Sequence, residues 1–233
     1  MTAGATTAPD RAFDLGPAKV VFTGRDDGDM GHGGEYVFEV SPEVEARRRA
    51  VVDRPWVWLR QVHGNHVVRA GPGPLGSGSR ADAAVTDQAG CALAVLVADC
   101  APVALASDEG VTAVAHVGWA GLVAGVVAAT VDAMRSTGAT TIRSVLGPCI
   151  HPGCYEFGAE DLDAVAALFG DAVRSTTGTG RPALDLPAGV RSALAAAGVD
   201  DFVSVGVCTA CSPLHYSWRA RRERQRQAVV VWR

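Results

Sequence analysis

The sequence predicts a single α+β domain of mixed α/β character, in which β-sheets are covered by helices. Its 233 residues suit one domain of ordinary to large size. Three short apolar runs follow one another over residues 91–117, each bounded by turn residues, which is typical of strands buried on both faces. Amphipathic segments that end at glycine are interspersed with further strand-like runs. Residues 1–18, rich in Ala, Thr, Gly and Pro, predict a flexible N-terminal tail, which leaves the domain to residues 19–233.

The elements before the apolar runs are a strand, a helix and a second β-rich stretch. Residues 18–25 predict the first strand, and the glycine-rich residues 26–36 predict a loop. Ser41 is a good N-cap and Pro42 suits the first helical turn, so a helix is expected from there to residue 53. The stretch "WVWLRQVH", residues 56–63, has the alternation of an extended chain.

Strands and helices are both predicted in the rest of the chain, after a Gly/Pro/Ser loop at residues 70–80. The predicted strands are residues 91–98, 102–107, 111–117, 142–149, 201–207 and 227–232. The predicted helices are residues 121–138, 159–170 and 186–199.

Charge and hydropathy exclude several classes of partner. The net charge of −4 gives no general attraction for nucleic acid or for anionic membranes. The longest strongly apolar run, residues 91–98, is too short to span a bilayer, and the N-terminus lacks the apolar core of a signal peptide. We therefore expect a cytoplasmic protein, whose 6 cysteines are thiols, ligands or nucleophiles and not disulfides.

The motif "QVHGNHV" places His63 and His66 three residues apart, which raises the question of a metal site. If this segment is extended, the two side chains point to opposite faces, so only one of them is a candidate ligand. Asp99 and Cys100 follow one buried strand, and His116 lies at the end of another. Two histidines and one cysteine with one open position form a plausible catalytic zinc site. Spacing alone leaves open that these are ordinary buried residues, because cysteine is among the most buried types.

A second group of cysteines could also bind a metal ion. Cys208 and Cys211 form a C-x2-C pair, and Cys149 and Cys154 form a C-x4-C pair. Together the four thiolates could make a structural zinc site, although the pairs lack the spacing of a zinc ribbon.

Several blocks of the sequence resemble, in order, those of the laccase-domain family, which is YfiH-like and is also called "multicopper polyphenol oxidase". The blocks are "QVHG", "ADAAVTD", "ALAVLVADCAPVAL", "AVAHVGWAGLVAGVV", "LGPCIHPGCYEFG" and "HYSWR". The resemblance implies a layered sandwich of mixed β-sheets flanked by helices. It implies one zinc ion per chain, held by His63, Cys100 and His116. It further implies a purine nucleoside phosphorylase, which cleaves adenosine, guanosine or inosine with phosphate, with adenosine deamination and methylthioadenosine cleavage as further activities.

The copper chemistry in the family's older name does not suit this sequence. A multicopper oxidase needs one copper and a three-copper cluster, built from many histidines, usually in His-x-His pairs. This chain has 6 histidines, and none stands in a His-x-His pair. By affinity order alone copper would still bind a single such site, as an adventitious occupant.

The sequence departs from the family's pattern in four places. The usual "HAGWRG" is "HVGWAG" here, so Ala120 replaces an arginine, and the usual "PCCYE" has Gly153 in place of one cysteine. The "NLG" block after the first strand is replaced by "GGEYVFEV", and "SYRRDGxTGR" is altered to "SWRARRERQR". The predicted zinc ligands are untouched, so these changes affect the expected handling of phosphate.

Motif positions nominate further residues around the predicted metal. Asp99 and Glu156 are candidate proton shuttles, although Asp99 could instead orient a histidine and Glu156 could cap the segment after it. Arg60 and Arg219 are candidate phosphate ligands, with surface ion pairs as the alternative. Trp119 could stack on a purine or fill the core.

The sequence allows two alternative functions, and the first uses the predicted metal ligands differently. Cys100 and His116 could form the nucleophile and base of a cysteine hydrolase or amidase, and metal content separates this reading from the phosphorylase. The arginine-rich residues 218–227 could bind nucleic acid, but the net negative charge favours a solvated loop or an anion pocket.

Overall fold

The computed structural model describes residues 11–31 and 40–233, which form 13 strands and six α-helices. The strands are β1 (Ala12–Leu15), β2 (Ala18–Phe22), β3 (Trp56–Val57), β4 (Val67–Arg69), β5 (Ala83–Thr86), β6 (Ala92–Val97), β7 (Ala101–Ser107), β8 (Thr112–Val117), β9 (Ile142–Leu146), β10 (Arg174–Thr176), β11 (Pro182–Leu184), β12 (Asp201–Ser204) and β13 (Gln227–Trp232). The helices are α1 (Pro42–Val51), α2 (Trp119–Ala124), α3 (Val126–Ser136), α4 (Ala159–Phe169), α5 (Leu186–Ala196) and α6 (Trp218–Arg221). Short 3-10 turns cover Arg25–Asp27, Pro152–Cys154 and Asp171–Val173.

The larger strands form two mixed sheets. The first sheet has the order β1-β2-β13-β6-β3, in which β13 is antiparallel to both neighbours and β3 is parallel to β6. The second sheet has the order β12-β9-β7-β8-β5-β4, in which β7 is antiparallel to β8 and β9. Strands β10 and β11 form a separate hairpin.

The two sheets pack face to face and are covered by helices on the outside. Strand β6 contributes to an apolar layer on each of its faces. Leu93 and Val95 face the second sheet, while Ala94 and Leu96 face the outer side. Helices α2 to α5 cover the other face of the second sheet, where residues such as Leu105 join their core. The predicted fold class, layered mixed sheets flanked by helices in one domain, is confirmed.

The buried strands and the caps of the helices follow the sequence prediction. Every residue of β6, β7 and β8 is buried, as the continuous apolar runs predict. Helix α1 begins after Ser41, whose Oγ accepts a hydrogen bond from Val44 N at 3.3 Å. None of the helices in the described ranges is long and apolar enough to cross a membrane.

The structure differs from the sequence prediction near the N-terminus and after the third apolar run. Ala12–Leu15, predicted as tail, pair with β2 across a two-residue turn in which Gly16 has a positive φ of 61°. Residues 1–10 of the predicted tail, and residues 32–36 of the predicted loop, lie outside the described residues. The single predicted helix 121–138 is two helices, because Gly125 adopts a left-handed conformation with φ of 86°.

Candidate functional site

His63 lies on a loop that is fastened to the first sheet. The side chain of Gln61 donates to Leu96 O at 2.7 Å and accepts from Leu96 N at 2.8 Å, so it pairs with β6 much as a strand residue would. Strand β3 ends at Val57, and His63 has a left-handed φ of 59°. The extended conformation predicted through His63 is therefore wrong, and the turn leaves its side chain exposed.

Cys100 and His116 come from neighbouring strands. Cys100 directly precedes β7 and follows Asp99, which has an unusual φ of 93°. His116 lies in β8, in register with Pro102 of β7, and is only 3% exposed. The antiparallel pairing thus places both side chains at the same end of the second sheet.

The structure brings the three predicted ligands together. One donor atom from each of His63, Cys100 and His116 lies within 4.8 Å of the other two. Cys100 Sγ is 3.7 Å from His63 Nε2, and the two imidazole rings meet edge to face at 4.7 Å between centroids. His66 does not belong to this group. The sequence analysis also kept only one of the two histidines, but it did so from an extended conformation that the turn at His63 does not have.

Asp82, which the sequence analysis did not single out, organises this cluster. It is fully buried, and its carboxylate accepts hydrogen bonds from the backbone N–H groups of Val62, His63 and Gly64 at 2.8–3.2 Å. The same carboxylate lies 2.8 Å from His116 Nδ1. Burial would raise the pKa of Asp82, but the hydrogen bonds from His116 and from the loop lower it. Asp82 therefore holds the His63 loop and orients the His116 ring at once.

Cys100 and His116 favour a thiolate–imidazolium pair in the metal-free site. Burial would raise the pKa of Cys100, but the charge of His116 and hydrogen bonds from both histidines lower it to about 6. Burial would lower the pKa of His116, but the Cys100 thiolate and the hydrogen bonds with Asp82 and Cys100 raise it to about 9. Both shifts favour the ionised thiolate, the form in which cysteine binds metals.

Two glycines make room for the cluster. A Cβ at Gly118 would lie 2.6 Å from His63 Cδ2 and 3.3 Å from Cys100 Sγ. A Cβ at Gly121 would lie 3.1 Å from the carbonyl oxygen of Gly64. The start of α2 can therefore approach the His63 loop only because these positions carry no side chain.

The residues of the cluster fit a metal ion of borderline softness. The donors are one thiolate and two imidazoles, a set that suits zinc and other late transition metals. Because Asp82 engages Nδ1 of His116, the remaining Nε2 is the nitrogen available to a metal, as is usual for ligand histidines. Three protein donors leave a position for a water or a substrate atom.

The structure also contains an open cavity of about 670 Å³, whose lining includes none of His63, Cys100 and His116. Its lining includes Glu156, Phe157, Arg181 and Arg219. Trp119, the residue after Gly118, packs edge to face on Phe157 with 5.5 Å between ring centroids. Phe157 and two guanidinium groups therefore line a space that Trp119, the neighbour of Gly118, connects to the cluster.

The candidate proton shuttles have different surroundings. Asp99 is buried, accepts from Thr209 Oγ1 at 2.7 Å and from Arg219 N at 2.6 Å, and has no hydrogen bond to either histidine. It therefore holds the start of α6 in place, and Asp82 performs the orienting role predicted for Asp99. Glu156 lines the cavity, and its carboxylate forms an ion pair with Arg181 at 2.7 Å.

The two candidate phosphate ligands are also placed differently. Arg219 lines the cavity, where its guanidinium lies 4.9 Å from the centre of the Tyr155 ring and donates to Glu156 O at 3.2 Å. Arg60 donates from Nε to Gly78 O at 2.7 Å and is not among the residues that line the cavity. Arg181, which the sequence analysis did not nominate, is the second cationic residue of the lining.

Comparison with known proteins places this geometry in a family. Residues 34–233 match the family model described as multi-copper polyphenol oxidoreductase laccase. A Streptomyces coelicolor protein named purine nucleoside phosphorylase is 44% identical over 195 residues, which are 82% of this chain and 80% of that protein. A Pseudomonas aeruginosa protein of the same name is 35% identical over 207 residues, which are 85% of this chain and 84% of that protein.

Solved structures share the fold over nearly the whole chain. Neisseria meningitidis protein NMB0706 has a TM-score of 0.79 and 30% identity, and the match covers 95% of this chain and 97% of that one. The Bacillus licheniformis hypothetical protein YfiH has a TM-score of 0.80 at 24% identity, with 92% of each chain covered.

Proposed function

The chain belongs to the family described as multi-copper polyphenol oxidoreductase laccase, and from its site we propose that it is a zinc-dependent purine nucleoside phosphorylase. The observation that carries the proposal is the His63, Cys100 and His116 cluster. A cavity lined by Phe157, Arg181 and Arg219 is connected to it through Trp119 and Asp99. The names of the curated relatives supply the substrate class, purine nucleosides and phosphate.

The copper oxidase chemistry in the family's description is not part of the proposal. Among the described residues, only two groups of three metal-ligating His, Cys or acidic side chains come together, and one of them contains no histidine. A three-copper cluster requires several histidines around one centre. The cluster at His63 is sized for one ion.

The cavity and Trp119, which packs on the lining residue Phe157, offer separate surfaces for the phosphate and for the base. Trp119 is 37% exposed and stands against Phe157, so its free surface can stack on a purine. Arg219 and Arg181 carry the positive charge that a phosphate needs, and guanidinium groups bind phosphate through paired hydrogen bonds. Arg181 supplies a charge in the cavity of a chain that has Ala120 where the family pattern has arginine.

Phosphorolysis forms a bond from a phosphate oxygen to ribose C1′ while the bond from C1′ to the purine nitrogen breaks. The purine leaves with the electron pair and must be neutralised by a proton or a hydrogen bond. Glu156 is the carboxyl group of the cavity, and its pairing with Arg181 keeps it close to the phosphate site. Asp99 acts indirectly, because it fixes the backbone of Arg219. A zinc ion held by His63, Cys100 and His116 would supply Lewis acidity.

The products of adenosine in the presence and absence of phosphate test this proposal. Purified protein of measured zinc content is incubated with adenosine, and the products are separated by chromatography. Phosphorolysis yields adenine and ribose 1-phosphate only when phosphate is present, whereas deamination yields inosine without phosphate. Methylthioadenosine, guanosine and inosine in the same assay define the specificity. Absence of any free base from all four nucleosides would contradict the proposal.

A second function is favoured by one feature, the chain of contacts from Asp82 through His116 to Cys100. An acidic residue that orients a histidine, which in turn ionises a cysteine, is the arrangement of a cysteine hydrolase or amidase. The effect of zinc on activity distinguishes the two functions, because a thiolate bound to zinc is a poor nucleophile. If the metal-free protein hydrolyses amides and added zinc inhibits it, the hydrolase is correct; if zinc is required for turnover, the phosphorylase is.

A further inference from the structure

A second cluster of thiols reaches the cavity through Cys154. The Sγ atoms of Cys154, Cys208 and Cys211 lie within 4.8 Å of one another. Cys154 ends the 3-10 turn Pro152–Cys154 and also lines the cavity. Cys208 and Cys211 begin and end a turn that is closed by a hydrogen bond from Ser212 N to Cys208 O at 2.9 Å. The three thiols thus come from two segments that are 54 or more residues apart in the chain.

We propose that Cys154, Cys208 and Cys211 bind a second zinc ion through three thiolates, with the fourth position open to solvent. Zinc–sulfur bonds of about 2.3 Å in a tetrahedron place sulfur atoms about 3.8 Å apart. The separation of 3.2 Å between Cys154 Sγ and Cys211 Sγ, and the limit of 4.8 Å for the whole group, lie on either side of that value. The thiols therefore need only small shifts to close around an ion.

The backbone around the thiols supports ligation. The N–H of His151 donates to Cys208 Sγ at 3.4 Å, and such a bond stabilises negative charge on sulfur. Cys211 is exposed and the other two thiols are partly exposed, so an ion can enter from solvent. Cys149, the fourth member of the two cysteine pairs, is excluded because it is buried and absent from the group. The site is therefore a three-cysteine site and not the four-thiolate site that the sequence spacing suggested.

The position of the cluster gives the ion a structural role. Cys154 is followed by Tyr155 and Glu156, and the segment after Cys211 leads to Arg219, whose guanidinium lies over the Tyr155 ring at 4.9 Å. A zinc ion would tie these two segments together at the edge of the cavity. The proposal does not depend on the reaction at the His63 cluster, since it concerns different ligands and a different ion.

Metal analysis of paired variants tests the second site. The full-length protein is loaded with zinc, dialysed, and measured by mass spectrometry of the metal together with a protein assay. We expect two zinc ions in the wild type, one in Cys100→Ala, one in Cys211→Ser, and none in the double variant. Cys149→Ala is the matched control and should keep two. If Cys100→Ala retains no zinc, or if Cys211→Ser still holds two, the proposal is overturned.

Two further readouts do not depend on activity. In the Cys100→Ala background, bound cobalt should give intense sulfur-to-metal absorption, and this absorption should be lost when Cys208→Ser is added. Cys208→Ser also replaces Cys211→Ser as the test variant if Cys211→Ser does not fold. Zinc at 100 times its dissociation constant should raise the melting temperature of Cys100→Ala by roughly 5–10 °C. A thiol titration that finds Cys154 and Cys211 joined in a disulfide, with one zinc in the wild type, would contradict the proposal.

Discussion

The substitution of Asp82 tests how far the site depends on one buried carboxylate. Removing it in Asp82→Ala leaves four hydrogen-bond donors without their acceptor: the N–H groups of Val62, His63 and Gly64, and Nδ1 of His116. An unsatisfied buried donor costs about 1–3 kcal/mol. Because part of this loop reaches solvent, each of the four donors should cost about 1 kcal/mol. The free energy of unfolding should therefore fall by about 4 kcal/mol, which agrees with the roughly 3–5 kcal/mol for breaking a buried charged pair.

Asp82→Asn separates the orienting role from the packing role. The amide has the same shape and keeps one oxygen acceptor, but its NH2 group faces donors and its charge is gone. Loss of such a partner behind a metal ligand weakens metal affinity by about 10–100-fold. Urea unfolding of the metal-free protein gives the stability, and competition with a chromogenic zinc chelator gives the affinity.

The control for Asp82 is a surface carboxylate. Asp108→Asn removes a charge that pairs with Arg143 and is 53% exposed, so neither the free energy of unfolding nor the zinc affinity should change measurably. If Asp82→Asn binds zinc as tightly as the wild type does, the assignment of Asp82 as the group that positions His116 is refuted.

The remaining predictions concern space, ionisation and charge at the site. Gly118→Ala should weaken zinc binding at least about 10-fold, because the added Cβ would lie 2.6 Å from Cδ2 of His63. Gly153→Ala is the control: no atom lies within 4 Å of its added Cβ, so zinc binding at the His63 cluster should not change. In the metal-free protein, alkylation of Cys100 by iodoacetamide should rise with pH around its pKa of about 6, since the thiolate reacts, and an inflection near the ordinary 9.0 would disprove the ionised pair. Arg219→Ala should raise KM for phosphate about 10-fold or more, while Arg224→Ala, an exposed neighbour outside the cavity lining, should not.

The central strands of the fold could be predicted from the sequence because they are buried on both faces. A continuous apolar run such as Ala92–Val97 has no polar face to turn to solvent, which is typical of a strand covered on both sides. Ala12–Leu15 escaped prediction because their stability comes from pairing with β2 and not from their own composition. The break at Gly125 was also missed, since a glycine in a helical pattern does not by itself show that it takes a left-handed conformation.

The candidate site was predictable where it depends on strand ends and family motifs. His63, Cys100 and His116 were nominated from the sequence, and the structure places their donor atoms within 4.8 Å of one another. Asp82 was missed because an acidic residue among alanines gives no local sign of its partners, three of which lie 18–20 residues earlier in the chain and one 34 residues later. Arg181 was missed for the same reason, because only the folded chain brings its hairpin to the cavity.

The most direct test of the central claim is a metal titration of activity. Metal-free protein receives increasing zinc, and the phosphate-dependent release of adenine from adenosine is measured in the wild type and in Cys100→Ala. We expect adenine release to rise with the zinc bound at the His63, Cys100 and His116 cluster. We expect Cys100→Ala to release no adenine at any zinc level. Full activity in metal-free protein, or an unchanged rate in zinc-loaded Cys100→Ala, would contradict the central claim.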